Sequence, residues 1–193
     1  MVSSRVNADV RRLTDSFEHP PAPEARPGII VVSGLPGTGK TYFCRRLAER
    51  LPCIVLESDA LRKQLFPAPD YSGEESVYLF RTIYRVIEEL VKKGSTVALD
   101  ATNLAERHRE RLYSIAERLN ARLVLVSVDA PPELVQERLR RRVKEAGNKS
   151  DASWKVYQQM KPTEEKIKRR HFTVDTSRDI TPVIEKVIKE VKR

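Results

Sequence analysis

The segment GIIVVSGLPGTGKT, residues 28–41, constrains this chain more than any other. A short apolar run rich in β-branched residues leads into a glycine, four intervening residues and Gly39-Lys40-Thr41. At that spacing the backbone N–H groups of a tight loop converge on phosphate oxygens. The loop then opens a helix, whose N-terminus adds a favourable field for an anion. Gly34, Leu35, Pro36, Gly37, Thr38, Gly39, Lys40, Thr41 and Tyr42 are therefore the candidate nucleotide-binding residues. Lys40 is placed to reach the β- and γ-phosphates of ATP, and the Thr41 hydroxyl to ligate Mg²⁺. A glycine-rich turn that serves only to turn is the competing reading, and the full spacing between a strand and a helix disfavours it.

Beyond the loop the pattern alternates. CIVLE (53–57), STVALD (95–100), RLVLVSVD (122–129) and HFTVDT (171–176) read as four further strands. Between them the spacing predicts helices near 74–92, 105–119, 131–146, 150–160 and 180–192. The first of these carries Val77, Phe80, Ile83, Val86, Ile87 and Leu90 on one stripe, and the second presents Arg107, Arg111 and Arg118 to solvent. Five short strands alternating with helices imply an α/β fold with a mainly parallel sheet and helices on both faces. Sites in such sheets cluster beyond the C-terminal ends of the strands. Upstream, Val6, Val10, Leu13 and Phe17 form a helical stripe that docks on the body or on a partner, and HPPAPEARP (19–27) is a stiff connector. The expected domain thus covers residues 28–193, preceded by a helix and linker over 1–27.

A chain of 193 residues suits one sheet-centred domain. Its two cysteines, Cys44 and Cys53, have neither CxxC spacing nor a histidine cluster, so they read as small buried thiols in a reducing compartment. No segment has the length of a membrane span, which leads to the expectation of a soluble cytoplasmic protein. Residues 1–27 hold equal numbers of acids and bases, so the whole formal charge of +9 lies downstream. That excess suits polyanionic partners such as nucleic acid, phosphate-rich substrates, or simply a solvated basic surface.

The phosphate loop alone is shared by kinases, GTP-hydrolysing switches and mechanical ATPases. The chain is short for a motor, which favours a small phosphotransferase. Two acids fall where such an enzyme needs them. Asp100 ends the third strand, where a carboxylate can organise Mg²⁺ with Thr41. Asp59 follows the second strand, where it can accept the proton of an attacking hydroxyl or merely cap a helix. Arg62, one turn on, can hold an acceptor phosphate or the transferred group.

Taken in order, GLPGTGKT, ESDALRKQLF, LDATNLAERHRE and VDAPPELVQERLRRR resemble the small P-loop kinases related to phage-type polynucleotide 5′-kinase, over roughly residues 28–178. The resemblance implies a P-loop kinase fold with a helical lid near 137–152. It casts Asp59 as general base, Arg62 as the contact to the phosphate beside the acceptor hydroxyl, and Thr102 and Asn103 as the acceptor floor. Lys40 and Arg142 join Asp59 and Arg62 as the catalytic set. Arg138 and Arg142 best match the lid arginines over adenine and the transferring phosphate, with Arg140 or Arg141 substituting if the helix phase differs. The same likeness extends SDASWKVYQQM as a lid-following helix begun by Ser150, Asp151 and Ala152, with Trp154 and Tyr157 packing. It places Thr176, Ser177 and Arg178 around the base. The acceptor it favours is a polynucleotide 5′-hydroxyl. A sugar, nucleoside or amino alcohol, or a non-catalytic ATP-binding regulatory role, are the alternatives.

Overall fold

Why the run over β1 (Gly28–Ser33) contains no polar residue until its last position follows from where it sits. The computed structural model describes residues 2–17, 21–103, 105–145 and 153–193, and β1 lies at the centre of its sheet. The other strands are β2 (Ile54–Glu57), β3 (Val97–Asp100), β4 (Arg122–Asp129) and β5 (Phe172–Asp175), in spatial order β2-β3-β1-β4-β5 and all parallel. Successive side chains of a strand point to opposite faces. Ile29 and Val31 accordingly join one core with Leu56, Val97 and Leu99, and Ile30 and Val32 join another with Ala98, Val124 and Val126.

Helices cover both faces. The first core is closed by α1 (Val2–Asp15), α3 (Ser58–Leu65), α4 (Gly73–Lys92) and α5 (Glu106–Arg118). The second is closed by α2 (Lys40–Ala48) and α8 (Thr181–Val191), which contribute Phe43, Leu47, Ile184 and Val187. A smaller cluster of Leu35, Val135, Leu139 and Tyr157 joins α6 (Pro132–Glu145) and α7 (Trp154–Met160) to the phosphate loop. Trp154 and Tyr157 stack at 4.8 Å between ring centroids, and Tyr157 is buried, so the pair packs as expected.

Two expectations are corrected in detail. Val77 is 70 % exposed, because the buried stripe of α4 runs through Leu79, Ile83, Val86, Ile87 and Leu90 while Phe80 turns towards a cavity. The helix after the basic segment starts at Trp154, capped by the Ser153 hydroxyl, which accepts from the Val156 N–H at 3.3 Å. Ser150, Asp151 and Ala152, with the rest of 146–152 from the expected lid, lie outside the described residues. The N-terminal stripe docks on the body. Val6, Val10 and Leu13 are buried against α4, and the connector is tied on where the Glu24 N–H donates to the Gly94 carbonyl at 2.8 Å. Cys44 and Cys53 are unpaired thiols whose pKa values burial pushes up, that of Cys53 to about 11. Among the described residues no helix is long and apolar enough to cross a membrane.

Candidate active site

Parallel order brings the C-terminal ends of β1, β2 and β3 to one edge, and the register aligns Asp100 with both Val32 and Glu57. The loop that leaves β1 packs too tightly for side chains at two glycines. A Cβ on Gly34 would lie 2.2 Å from the Val128 carbonyl oxygen, and Gly39, at φ +98°, would meet Thr176 at 3.0 Å. Thr38 is buried and its hydroxyl donates to the Leu35 carbonyl at 2.8 Å, which fixes the turn. Leu35 anchors the loop in the third core cluster, whereas Tyr42 is 53 % exposed on the outer side of α2.

The loop, α3, α4, α6 and α7 enclose a cavity of about 440 Å³. Pro36, Gly37, Gly39, Lys40 and Thr41 line its donor end, with Asp100 beneath them. Lys40 Nζ donates to the Leu35 carbonyl at 2.9 Å, and burial lowers its pKa, partly offset by Asp100 and Asp59. Thr41 donates to Asp100 Oδ2 at 2.6 Å. Burial raises the pKa of Asp100, opposed by that hydrogen bond and by Lys40. Glu57, half-buried at the end of β2, is likewise raised, first by burial and then by Asp100. A hydroxyl and a carboxylate side by side form a hard oxygen pair of the sort Mg²⁺ takes, leaving its other positions to phosphate and water.

Asp59 opens onto the cavity from the first turn of α3, and it is not the cap. That position belongs to Glu57, whose side chain makes no capping bond. Arg62 also lines the cavity, yet its guanidinium is already engaged. It donates to the Glu75 carboxylate and to Ser76 Oγ (3.2 Å) and lies 4.7 Å from the Tyr71 ring centroid, with both members of the ion pair buried. The guanidinium expected to meet an acceptor phosphate is paired here with a counterion that the neighbouring helix supplies. Thr102 lines the cavity, and its carbonyl accepts from the Gly34 N–H at 3.1 Å. Asn103 is not a cavity wall. It is buried at φ +47°, and its amide donates to the Val32 carbonyl at 3.0 Å, so it braces β1 from behind.

Of the basic helix, Arg142 lines the cavity and adds to the positive field at Lys40, whereas Arg140 and Arg141 are exposed and are not among its lining residues. Arg138 donates to Thr176 Oγ1 at 2.7 Å and the Thr176 carbonyl at 3.0 Å, and reaches the Gly37 and Thr38 carbonyls at 3.5 and 3.4 Å. It clamps the phosphate loop to the turn after β5. Ser177 folds back on Asp175, and Arg178 pairs with Asp175 at 3.3 Å with its side chain 83 % exposed, so neither is brought to the cavity.

Several contributors carry no motif. Tyr71, Phe80, Val156 and Met160 also line the cavity. Arg109, only 1 % exposed, donates to the Asn103 carbonyl (2.7 Å), to Glu106 Oε2 (2.6 Å) and to the Glu165 carbonyl (2.9 Å), tying the loop after β3 to the segment after α7. Its position within LDATNLAERHRE was visible, but a buried arginine on a charged helix is not signalled by spacing.

A parallel sheet, a phosphate loop at its edge and a basic helix over that loop define a P-loop kinase, an ATP-dependent phosphotransferase. The chain matches the family model described as AAA domain over residues 29–167 and belongs to that family. A Methanocaldococcus jannaschii protein provisionally assigned as an adenylate kinase is 25% identical over 174 residues, covering 84% of this chain and 85% of that one. The L-seryl-tRNA(Sec) kinase of Methanococcus maripaludis is 29% identical over 115 residues, 57% of this chain and 44% of that protein. Among solved structures, the APS kinase of Mycobacterium tuberculosis in complex with AMPPNP and APS shares the fold with a TM-score of 0.66 at 18% identity, covering 89% of this chain and 100% of that one. The resemblance to polynucleotide 5′-kinase therefore broadens to the P-loop kinases as a class.

Proposed function

We propose that this kinase transfers the γ-phosphoryl group of ATP to the hydroxyl of a small molecule rather than to a polynucleotide end. The observation that carries this reading is the apolar and aromatic lining of the cavity onto which Asp59 opens. Tyr71 and Phe80 on one side and Val156 and Met160 on the other wall the acceptor end, where a strand of nucleic acid needs an open basic groove. The names adenylate kinase and APS kinase among the proteins it resembles support the small size of the acceptor alone, and not its reacting group or charge.

In this reading the backbone N–H groups of residues 34–41 and the α2 N-terminus cradle the donor phosphates. Lys40 and Arg142 stabilise charge on the transferring group, and Asp59 takes the proton of the attacking hydroxyl. Thr41 and Asp100 would hold Mg²⁺, which when bound neutralises phosphate charge. Arg138 orients the loop by holding Thr176 beside it. The test is transfer of labelled γ-phosphate to a panel of sugars, nucleosides, amino alcohols, 5′-hydroxyl oligonucleotides and tRNA. Transfer to a small alcohol that disappears in Asp59→Asn is expected. A preference for oligonucleotide or tRNA over every small alcohol would overturn the reading.

A further inference from the structure

The cation nearest to Asp59 on α3 is Arg62, one helical turn away, and a second residue has already claimed it. Glu75, at the start of α4, receives Nη1 of Arg62 and also the backbone N–H groups of Asp70 (2.8 Å) and Tyr71 (3.3 Å). The Arg62 and Glu75 side chains are 8% and 6% exposed. One carboxylate therefore cancels the guanidinium charge and also anchors the loop that carries Tyr71 over it.

We propose that Glu75 is a specificity-determining residue that disarms Arg62, so that the acceptor is an alcohol with no anionic group beside its reacting hydroxyl. The proposal rests on the small-acceptor reading and narrows it to neutral or amine-bearing alcohols with an apolar body. An anion entering this end would have to draw Arg62 away and leave the Glu75 carboxylate unpaired in a buried position, which is strongly disfavoured. With Arg62 paired, the groups that α3 and the end of β2 offer to the cavity are the carboxylates of Glu57 and Asp59 rather than a free guanidinium. Tyr71, one face of which Arg62 covers, and Phe80, which packs against Tyr84 and His108, give the cavity an aromatic lining that suits an apolar body or an ammonium group. Glu75 touches no substrate in this account. It acts through Arg62, whose Nε is buried without a hydrogen-bond partner among the described residues.

The test measures binding of phenyl phosphate by titration calorimetry, with a non-hydrolysable ATP analogue and Mg²⁺ saturating the donor end so that the probe cannot settle on the phosphate loop. Wild type, Glu75→Gln, Glu75→Asp, Arg62→Ala and the Arg62→Ala/Glu75→Gln double variant are compared, with thermal melts to verify folding. Phenyl phosphate is expected to bind Glu75→Gln at least about ten-fold more tightly than wild type, the effect of one good charge-assisted contact. The gain should vanish in the double variant. Glu75→Asp, which keeps the charge but shortens the reach to the Asp70 and Tyr71 amides, should show no gain, separating charge from loop anchoring. No Arg62-dependent gain in Glu75→Gln overturns the proposal, and so does wild-type binding of phenyl phosphate that Arg62→Ala weakens. The acceptor panel separates the two failures. Preference for nucleic acid defeats the small-acceptor reading, whereas preference of wild type for small phosphorylated alcohols defeats the role of Glu75 and leaves that reading standing.

Discussion

Replacing Asp59 by asparagine separates a catalytic carboxylate from a helix decoration, because the structure sets very different magnitudes for the two. The N-cap of α3 is Glu57, and Asp59 sits exposed in the first turn. Asparagine keeps the size and hydrogen-bonding oxygen of the side chain and removes one negative charge near the helix N-terminus. Such a charge is worth about 0.3–1 kcal/mol when exposed, less in salt. For a chain of this length that corresponds to a melting shift of at most about 4 °C. Loss of a general base costs about 100- to 10,000-fold in rate, or roughly 2.7–5.5 kcal/mol of transition-state stabilisation. The assay pairs initial rates of phosphoryl transfer at saturating ATP with thermal melts and titration of a fluorescent ATP analogue. The expected result is near-abolished turnover, a melting temperature within a few degrees of wild type and unchanged nucleotide affinity. A variant that keeps most of its turnover would show that the proton of the acceptor goes elsewhere, and that Asp59 merely decorates the helix.

Asp100→Asn is expected to melt at a higher temperature at neutral pH while losing Mg²⁺-dependent turnover. The pKa of the buried carboxylate lies above its ordinary range, so the folded chain holds that proton more readily than the unfolded one. Stability is therefore lost as pH rises from the ordinary carboxylate range through the raised value, and the advantage of the variant should shrink as pH falls back through that window. Arg142→Ala should lower turnover more than ATP affinity, whereas Arg138→Ala should weaken ATP binding and cost about 1.5–3 kcal/mol in denaturant unfolding, since it loses charged hydrogen bonds to Thr176. Leu13→Ala, emptying a buried position of α1 against α4, should cost about 2–5 kcal/mol of stability and leave the rate at low temperature unchanged.

The fold was readable because its signals are local. The apolar runs that became β1 and β4 end where glycine, asparagine or an acid stops them, and the boundaries of both strands fall where the pattern puts them. Placement of Asp100 beside the phosphate loop follows from β3 pairing with β1, and the Thr41–Asp100 hydrogen bond joins the two ends of that inference. Val77 failed for an equally local reason. Helical spacing alone gives a stripe about one residue wide of the truth, and what turns Leu79 inward is the position of α1 and α3 over α4. Asn103 was assigned by its place in a motif to the acceptor, but its amide serves the backbone of β1.

The donor and acceptor ends of one cavity differ in how much a sequence can say about them for a physical reason. A phosphate loop binds through backbone N–H groups held in a tight turn, and a turn is specified by glycines at fixed offsets within eight residues. The proposed acceptor end is built from side chains of α3, the loop before α4, α4 itself and α7, which meet only once the sheet has ordered them. Arg62 illustrates the difference. Its neighbours in sequence suggest a guanidinium open to a phosphate, whereas its charge partner lies thirteen residues later, fixed by Glu75 folding back on the turn at Asp70 and Tyr71. A motif can therefore point to phosphoryl transfer, while the buried Arg62–Glu75 ion pair proposed to select the acceptor is one that no spacing rule reports.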